Sequence, residues 1–267
     1  MKTFEVNLIT VRKEDEVLLE ETLEKLRSMK LRIMAEAFEE QVGDPQYSEL
    51  SFEERFGLIV DREWTERRER RLKRRLSEAK LRFEARLEEI EYRGRVGLEK
   101  AFVSELGTCQ WIRKHLNLII TGPTGVGKTF LSCALAARAC ELGFRVLSYR
   151  TSRLFGELEV ARCDGTYLRL LGKLKRIDLL VIDDWGIVAL TEGERLSLLE
   201  IVEDRYELGS TLICSQVPVS KWYKLIGDPT VADSILDRLI QSSYRIELKG
   251  ESIRKKKSSS RKKGRTI

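Results

Sequence analysis

Apolar residues recur along this chain in two rhythms. From residue 1 to about 97 they fall at three- and four-residue steps among charged neighbours, and from about 98 to 250 they gather into short unbroken runs separated by helix-like stretches. The first rhythm predicts helices. Leu19, Leu23, Leu26 and Lys30 to Ile33 mark an amphipathic helix, and Met34-Ala35-Glu36-Ala37-Phe38 continues it until Gly43-Asp44-Pro45 breaks it. A second helix is expected after Ser51, because Ser51-Phe52-Glu53-Glu54 spells a capping box. From Trp64 onward Leu72, Leu76, Ala79, Phe83, Leu87 and Ile90 form one continuous helical stripe, and Gly94 and Gly97 mark the linker after it.

The second rhythm predicts strands near 118–121, 145–150, 178–183, 210–215 and 244–248. Helices are predicted between them near 128–142, 152–161, 166–174, 191–208 and 229–241. Strand and helix in alternation imply an α/β fold, a parallel sheet covered on both faces. Ligand then belongs at the carboxyl ends of the strands. The expected organisation is a small helical domain over 1–97, the α/β domain over 98–250, and a tail over 251–267.

A motif sits at the first of those carboxyl ends. Gly122-Pro123-Thr124-Gly125-Val126-Gly127-Lys128-Thr129 is a complete Gly-x4-Gly-Lys-Thr loop between the apolar run Leu118-Ile119-Ile120 and the helix-forming segment Phe130 to Leu142. Its glycines allow main-chain N–H groups and the positive end of the next helix to face a polyphosphate. Lys128 supplies a charge for the β and γ oxygens, and Thr129 a hydroxyl for Mg2+. The chain is therefore expected to bind a nucleoside triphosphate with Mg2+; a glycine-rich turn that merely precedes a helix is the plain alternative.

Farther on, the buried run Asp178-Leu179-Leu180-Val181-Ile182 ends in Asp183-Asp184, as a Walker B strand does. Alternation along a strand sends adjacent side chains to opposite faces, so the two carboxylates are given different tasks. Asp183 is assigned to Mg2+ through water, and Asp184 to orienting or deprotonating the attacking water. The strand Thr211-Leu212-Ile213-Cys214 ends in Ser215-Gln216, where Gln216 is the preferred γ-phosphate sensor and Ser215 the reserve; both are also ordinary turn residues. In the helix that opens at Asp228-Pro229, Arg238 could neutralise charge on a transferring phosphoryl group, supplied from a neighbouring subunit. An intrachain ion pair to Asp233 or Asp237 is the alternative.

Charge adds a second partner. The net charge is +6 and 34% of residues are charged, a balance that favours a polyanion. Between Asp61 and Arg86 eleven Lys and Arg stand against six Asp and Glu, with Arg67, Arg68, Arg70, Arg71, Lys73, Arg74 and Arg75 dense on one helix. Such a helix can lay cations along duplex DNA phosphates with little sequence preference; a solvated face laced with pairs such as Glu66–Arg70 is the bland reading. The tail from Arg254 to Arg265 holds eight basic residues and no acid, and is expected to be disordered and to add non-specific attraction to DNA. No run of eighteen apolar residues and no signal-peptide core occurs, so a soluble cytoplasmic protein without a membrane partner is expected. Five cysteines lack CxxC spacing and read as reduced packing residues. The single histidine, His115, reads as a surface or packing residue.

Taken together, the phosphate loop, the Asp183-Asp184 strand end, the Ser215-Gln216 strand end and Asp228-Pro229-Thr230-Val231-Ala232-Asp233-Ser234-Ile235-Leu236-Asp237-Arg238-Leu239, followed by Arg245 to Arg254, resemble the IstB family. These are ATP-dependent transposition helpers of IS21-type insertion sequences, similar to the DnaC and DnaA group of AAA+ ATPases. Met34 to Phe38 and Glu49 to Arg55 extend the match to nearly the whole chain. The resemblance implies an AAA+ P-loop core that oligomerises with ATP at subunit junctions, hydrolyses ATP slowly under stimulation by DNA or partner, binds duplex DNA and recruits or activates a transposase. It places Arg238 at the arginine-finger position, acting in trans, and Arg254 where a second sensor arginine is sought. A replicative helicase loader would share every nucleotide-site residue. A small-molecule kinase and a nucleotide-gated scaffold without turnover are the rival classes.

Overall fold

The computed structural model describes residues 17–92 and 97–250. The basic tail, Arg254 and Gly94 lie outside the described residues. The chain divides into two compact units, residues 1–73 and 74–267.

In the first unit, residues 17–28 form α1 and Arg32–Gly43 form α2. The expected single helix is two, because Lys30 adopts a left-handed φ of 61° and interrupts the ladder. A left-handed turn at a residue with a Cβ is costly, so tertiary contacts must hold it. One such contact is the Lys30 carbonyl, which accepts a hydrogen bond from Arg67 Nη2 at 2.8 Å. Asp44 caps the short 3-10 turn Pro45–Glu49 through the Gln46 N–H. Then α3 spans Phe52–Ala79. Its capping box forms as the sequence predicts: Glu54 accepts from the Ser51 backbone at 2.9 Å, and Ser51 Oγ accepts from the Glu54 N–H at 3.3 Å.

The continuous stripe ends sooner than its periodicity predicts. α3 stops at Ala79, Lys80 turns left-handed with φ of 52°, and of residues 81–91 only Leu87–Glu89 make a 3-10 turn. Contacts within the second unit override the helical pattern here: Ala79, Ala85 and Ile90 are buried, and the Lys80 ammonium lies 5.6 Å from the Tyr149 ring centroid. Of the stripe beyond Ala79, Ile90 is buried, Leu87 half-buried and Phe83 exposed.

The second unit carries the sheet. Two short helices the sequence did not announce, α4 (Lys100–Gly107) and α5 (Gln110–Arg113), lead into β1 (Asn117–Thr121). There follow α6 (Lys128–Glu141), β2 (Val146–Arg150), α7 (Thr151–Cys163), α8 (Tyr167–Lys175) and β3 (Leu179–Trp185). The chain continues through α9 (Glu192–Arg205), β4 (Ser210–Ser215), α10 (Trp222–Ile226), α11 (Pro229–Ile240) and β5 (Ser243–Glu247). All pairings are parallel, in the order β2-β3-β4-β1-β5. The central strands β1 and β4 are buried at every position, which is why they read as unbroken apolar runs. Leu147, Leu154, Leu180, Ile201, Ile213 and Trp222 belong to the core on one side of the sheet.

At the amino end of the sheet Arg205 is almost fully buried. Its guanidinium donates to the carbonyls of Leu174, Ile177 and Ser210, and burial pushes its pKa down to about 10. It ties the ends of α8, β3 and β4 together. Four cysteines are buried and Cys163 is exposed; burial raises the Cys109 thiol to about 11 and the Cys140 thiol to about 12, so both stay protonated packing groups. His115 is exposed with a left-handed φ of 55°. No helix among the described residues is long and apolar enough to cross a membrane.

Candidate nucleotide site

Register fixes where the phosphate loop starts. Thr121, the last residue of β1, pairs with Ser215 on one side and Glu247 on the other, so the loop leaves the sheet between the ends of β4 and β5. Gly122 has φ of +146°, and a Cβ there would lie 2.3 Å from the Leu248 carbonyl oxygen. Only glycine fits. Gly127, with φ of 102°, caps α6, whose first residues are Lys128 and Thr129. The free N–H groups of the first turn and the loop amides thus face the space outside the sheet. Lys128 folds back over the loop, its Nζ donating to the carbonyls of Gly122 at 2.7 Å and Pro123 at 2.9 Å.

Two predicted metal ligands meet here. Thr129 Oγ1 donates to both oxygens of Asp183, at 3.2 and 3.0 Å. A hydroxyl and a buried carboxylate converging at the amino end of α6 are a hard-oxygen set of the kind Mg2+ takes. With the loop in which a Cβ at position 122 would collide, the residues present fit a magnesium–triphosphate. Gln216 is also at the loop, accepting at Oε1 from Thr124 Oγ1 at 2.6 Å. Ser215 is not available in the same way. Its hydroxyl lies 2.9 Å from the carbonyls of Trp185 and Val217 and accepts from the Val217 N–H at 3.0 Å.

The alternation argument for the two aspartates fails locally. The β3–β4 register shifts between Ile182 and Trp185, and Asp184 has a left-handed φ of 61°. A bulge inserts an extra residue and re-aims side chains. As a result Asp183 and Asp184 do not point to opposite faces: each has an oxygen within 3.5 Å of one guanidinium nitrogen, Arg82 Nη1. Asp183 is buried and Asp184 half-buried. Backbone strain at a non-glycine residue is a common mark of functional positions.

Arg238 stands elsewhere. Asn117, the first residue of β1, donates through Nδ2 to the Arg238 and Leu239 carbonyls, which puts the end of α11 at the amino edge of the sheet. At about 3.3 Å of rise per residue, the length of β1 alone separates it from the loop by more than 10 Å. Its guanidinium lies 3.3 Å from Glu203, donates to the Ser234 carbonyl at 2.8 Å, and sits 6.0 Å from the Tyr206 ring centroid. The intrachain partner is Glu203, not Asp233 or Asp237. Asp237 instead accepts from Gln241.

The seven basic residues of α3 are also not equivalent. Arg67 pairs with Glu63, Arg70 with Glu66 at 3.1 Å, and Arg74 with Glu78 at 2.8 Å. Arg75 lies 3.8 Å from where a Cβ on Gly143 would be, half-buried. Arg68, Arg71 and Lys73 are exposed and make no ion pair among the described residues; Arg68 lies over Trp64 at 5.4 Å.

The whole arrangement has known counterparts. The model of the IstB-like ATP-binding protein family matches residues 24–261. The chain belongs to that family. An insertion-sequence ATP-binding protein of Sinorhizobium fredii is 48% identical over 234 residues, covering 88% of this chain and 96% of its own. The IS21 ATP-binding protein of Pseudomonas aeruginosa is 31% identical over 238 residues, 89% of each chain. Among solved structures, the DnaC helicase loader superposes with a TM-score of 0.53 at 22% identity, over 62% of this chain and 97% of that one. The DnaA initiator bound to AMPPCP and single-stranded DNA gives 0.52 at 20% identity, over 69% and 56%. These two establish the AAA+ P-loop fold. Membership of that family makes this chain an IstB-like ATP-binding protein.

Proposed function

We propose that this IstB-like protein is an ATPase that assembles on duplex DNA under ATP control and recruits or activates the transposase of its insertion sequence. One observation supports assembly above all. The phosphate loop and Arg238 lie at opposite ends of the same sheet, so Arg238 can meet a γ-phosphate only on another copy. That geometry matches the trans role its sequence position implies.

Residues 122–127 would bind the phosphates through main-chain N–H groups, with Lys128 turning from the Gly122 and Pro123 carbonyls to the β and γ oxygens. Thr129 and Asp183 would hold Mg2+, which when bound neutralises phosphate charge. Asp184, re-aimed by the bulge, would orient the attacking water, and Gln216 would report on the γ-phosphate from beside Thr124. Arg238 of a neighbouring copy would exchange its Glu203 contact for the γ-phosphoryl oxygens. Hydrolysis then removes the charge that joins the two copies.

For DNA, the support is the exposed trio Arg68, Arg71 and Lys73, with Arg67 serving the helical fold through Glu63 and Lys30. The transposase reading rests on relatives named for insertion sequences. The test is steady-state ATP turnover as a function of protein concentration, with and without duplex DNA. Turnover per subunit should rise with concentration and with DNA. A rate per subunit independent of both would refute ATP-controlled assembly.

A further inference from the structure

The carboxylate end of β3 already holds a cation supplied by this chain. Three residues beyond the end of α3, Arg82 places Nη1 3.4 Å from Asp183 Oδ2 and 3.5 Å from Asp184 Oδ2. The Arg82 side chain is 30% exposed and that of Asp183 only 7%, so this is a partly desolvated contact, not a loose surface pair. The segment is anchored on both sides of the arginine. Lys80 lies over Tyr149 and 3.7 Å from Glu157, while the backbones of Arg82 and Phe83 lie beside the Cys133 thiol of α6. Lys80, Arg82, Cys133, Tyr149, Glu157 and Asp183 line a cleft of about 370 Å3 that also includes Thr129.

Charge explains why a cation is held there. Two carboxylates brought to one side by a bulge repel each other unless something neutralises them, and Arg82 does so while Thr129 donates to the same Asp183 oxygen at 3.0 Å. A magnesium ion held by Thr129 and Asp183 would stand against the carboxylate that Arg82 already neutralises. Two cations cannot share it without strong repulsion. We infer that Arg82 is a resident counter-cation of the ATP site, which keeps Asp183 and Asp184 in place without nucleotide and must withdraw when Mg2+ and ATP arrive, loosening residues 80–86. The inference rests on the magnesium–ATP reading of the loop. It adds to that reading a positioning residue from outside the phosphate loop and the strand ends. It also links metal occupancy to the segment at which α3 ends.

The experiment is Mg2+-dependent binding of a fluorescent, non-hydrolysable ATP analogue to the full-length protein, with Arg82→Ala and Arg82→Lys beside the wild type. With the competing guanidinium gone, Arg82→Ala should reach half-saturation at a Mg2+ concentration at least threefold lower, and Arg82→Lys should stay near the wild type. In the wild type, hydrogen exchange at the Arg82 and Phe83 amides should accelerate about tenfold on saturation with Mg2+ and analogue. An unchanged Mg2+ half-saturation in Arg82→Ala would overturn the inference while leaving the ATP site intact. So would weaker analogue binding at saturating Mg2+, which would make Arg82 a phosphate contact. A wild type that binds the analogue without any Mg2+ dependence would remove the magnesium reading itself, and the inference with it.

Discussion

Replacing Gly122 by alanine tests the phosphate loop where its geometry is tightest. The new Cβ would stand 2.3 Å from the Leu248 carbonyl oxygen, about 1 Å inside an ordinary carbon–oxygen contact of ~3.3 Å. Leu248 cannot simply retreat, because its N–H donates to the Thr121 carbonyl at 2.8 Å, and Gly122 itself donates to Ser215 at 3.2 Å. A φ of +146° adds about 1–3 kcal/mol for a residue with a Cβ, and overpacking a further 1–3 kcal/mol. The full-length Gly122→Ala protein should therefore lose about 3 kcal/mol or more in nucleotide-free urea unfolding. ATP affinity should fall at least tenfold, because the Gly122 carbonyl, which must shift with its own backbone, is the one that accepts from Lys128. Gly172→Ala in α8, where a Cβ meets nothing within 4 Å, is the control and should gain up to about 1 kcal/mol. Gly122→Ala with stability within 0.5 kcal/mol of wild type and normal ATP affinity would refute the close approach.

Three further outcomes are expected. Asp184→Asn should bind ATP within about twofold of wild type while turnover falls about 100-fold or more, as for a lost general base; unchanged turnover in a single-cycle assay removes Asp184 from the chemistry. Joint replacement of Arg68, Arg71 and Lys73 by glutamine should reduce the slope of log DNA affinity against log salt by about 2–3, at roughly 0.9 per phosphate contact. A slope that does not move identifies a solvated face. Asp178 is subject to burial, which raises its pKa, but three hydrogen bonds from Arg145 more than offset this and hold the carboxyl below the usual carboxylate range. Its stabilising contribution is present above the unfolded value of ~3.9 and is lost as pH falls through the lower folded value. The difference in urea midpoint between wild type and Asp178→Asn should thus be largest near pH 7 and close below pH 3. A gap constant over that range would contradict the assignment.

Much of the α/β unit was legible because burial on both faces leaves a simple trace. β1 and β4 each carry an unbroken apolar run, Leu118-Ile119-Ile120 and Leu212-Ile213-Cys214, and the phosphate loop, the Asp228 cap with Pro229 and the Ser51 box have fixed local chemistry. What escaped the sequence depends on contacts between distant segments. The stripe through Phe83, Leu87 and Ile90 has helical spacing, but a left-handed Lys80 ends the helix, and of the three only Ile90 is buried. The break at Lys30 is of the same kind. The bulge at Asp184 leaves no sign after the unbroken apolar run Leu179 to Ile182, so two carboxylates expected on opposite faces share one arginine. Arg82 was hidden among eleven basic residues, since charge density alone does not distinguish a phosphate contact from a counter-cation. Likewise Glu203 could not be named as the Arg238 partner before α9 and α11 were seen side by side.

The central claim is that one copy's ATP is completed by another copy's Arg238. Neither Lys128→Ala nor Arg238→Ala alone should turn over ATP, the first for want of a phosphate contact and the second for want of the trans guanidinium. Mixed in equal amounts on duplex DNA, they should recover a substantial fraction of wild-type ATPase activity, because an intact phosphate loop then faces an intact Arg238 at some junctions. A mixture as inactive as its two components, under conditions where wild-type subunits assemble and hydrolyse ATP, would contradict the account.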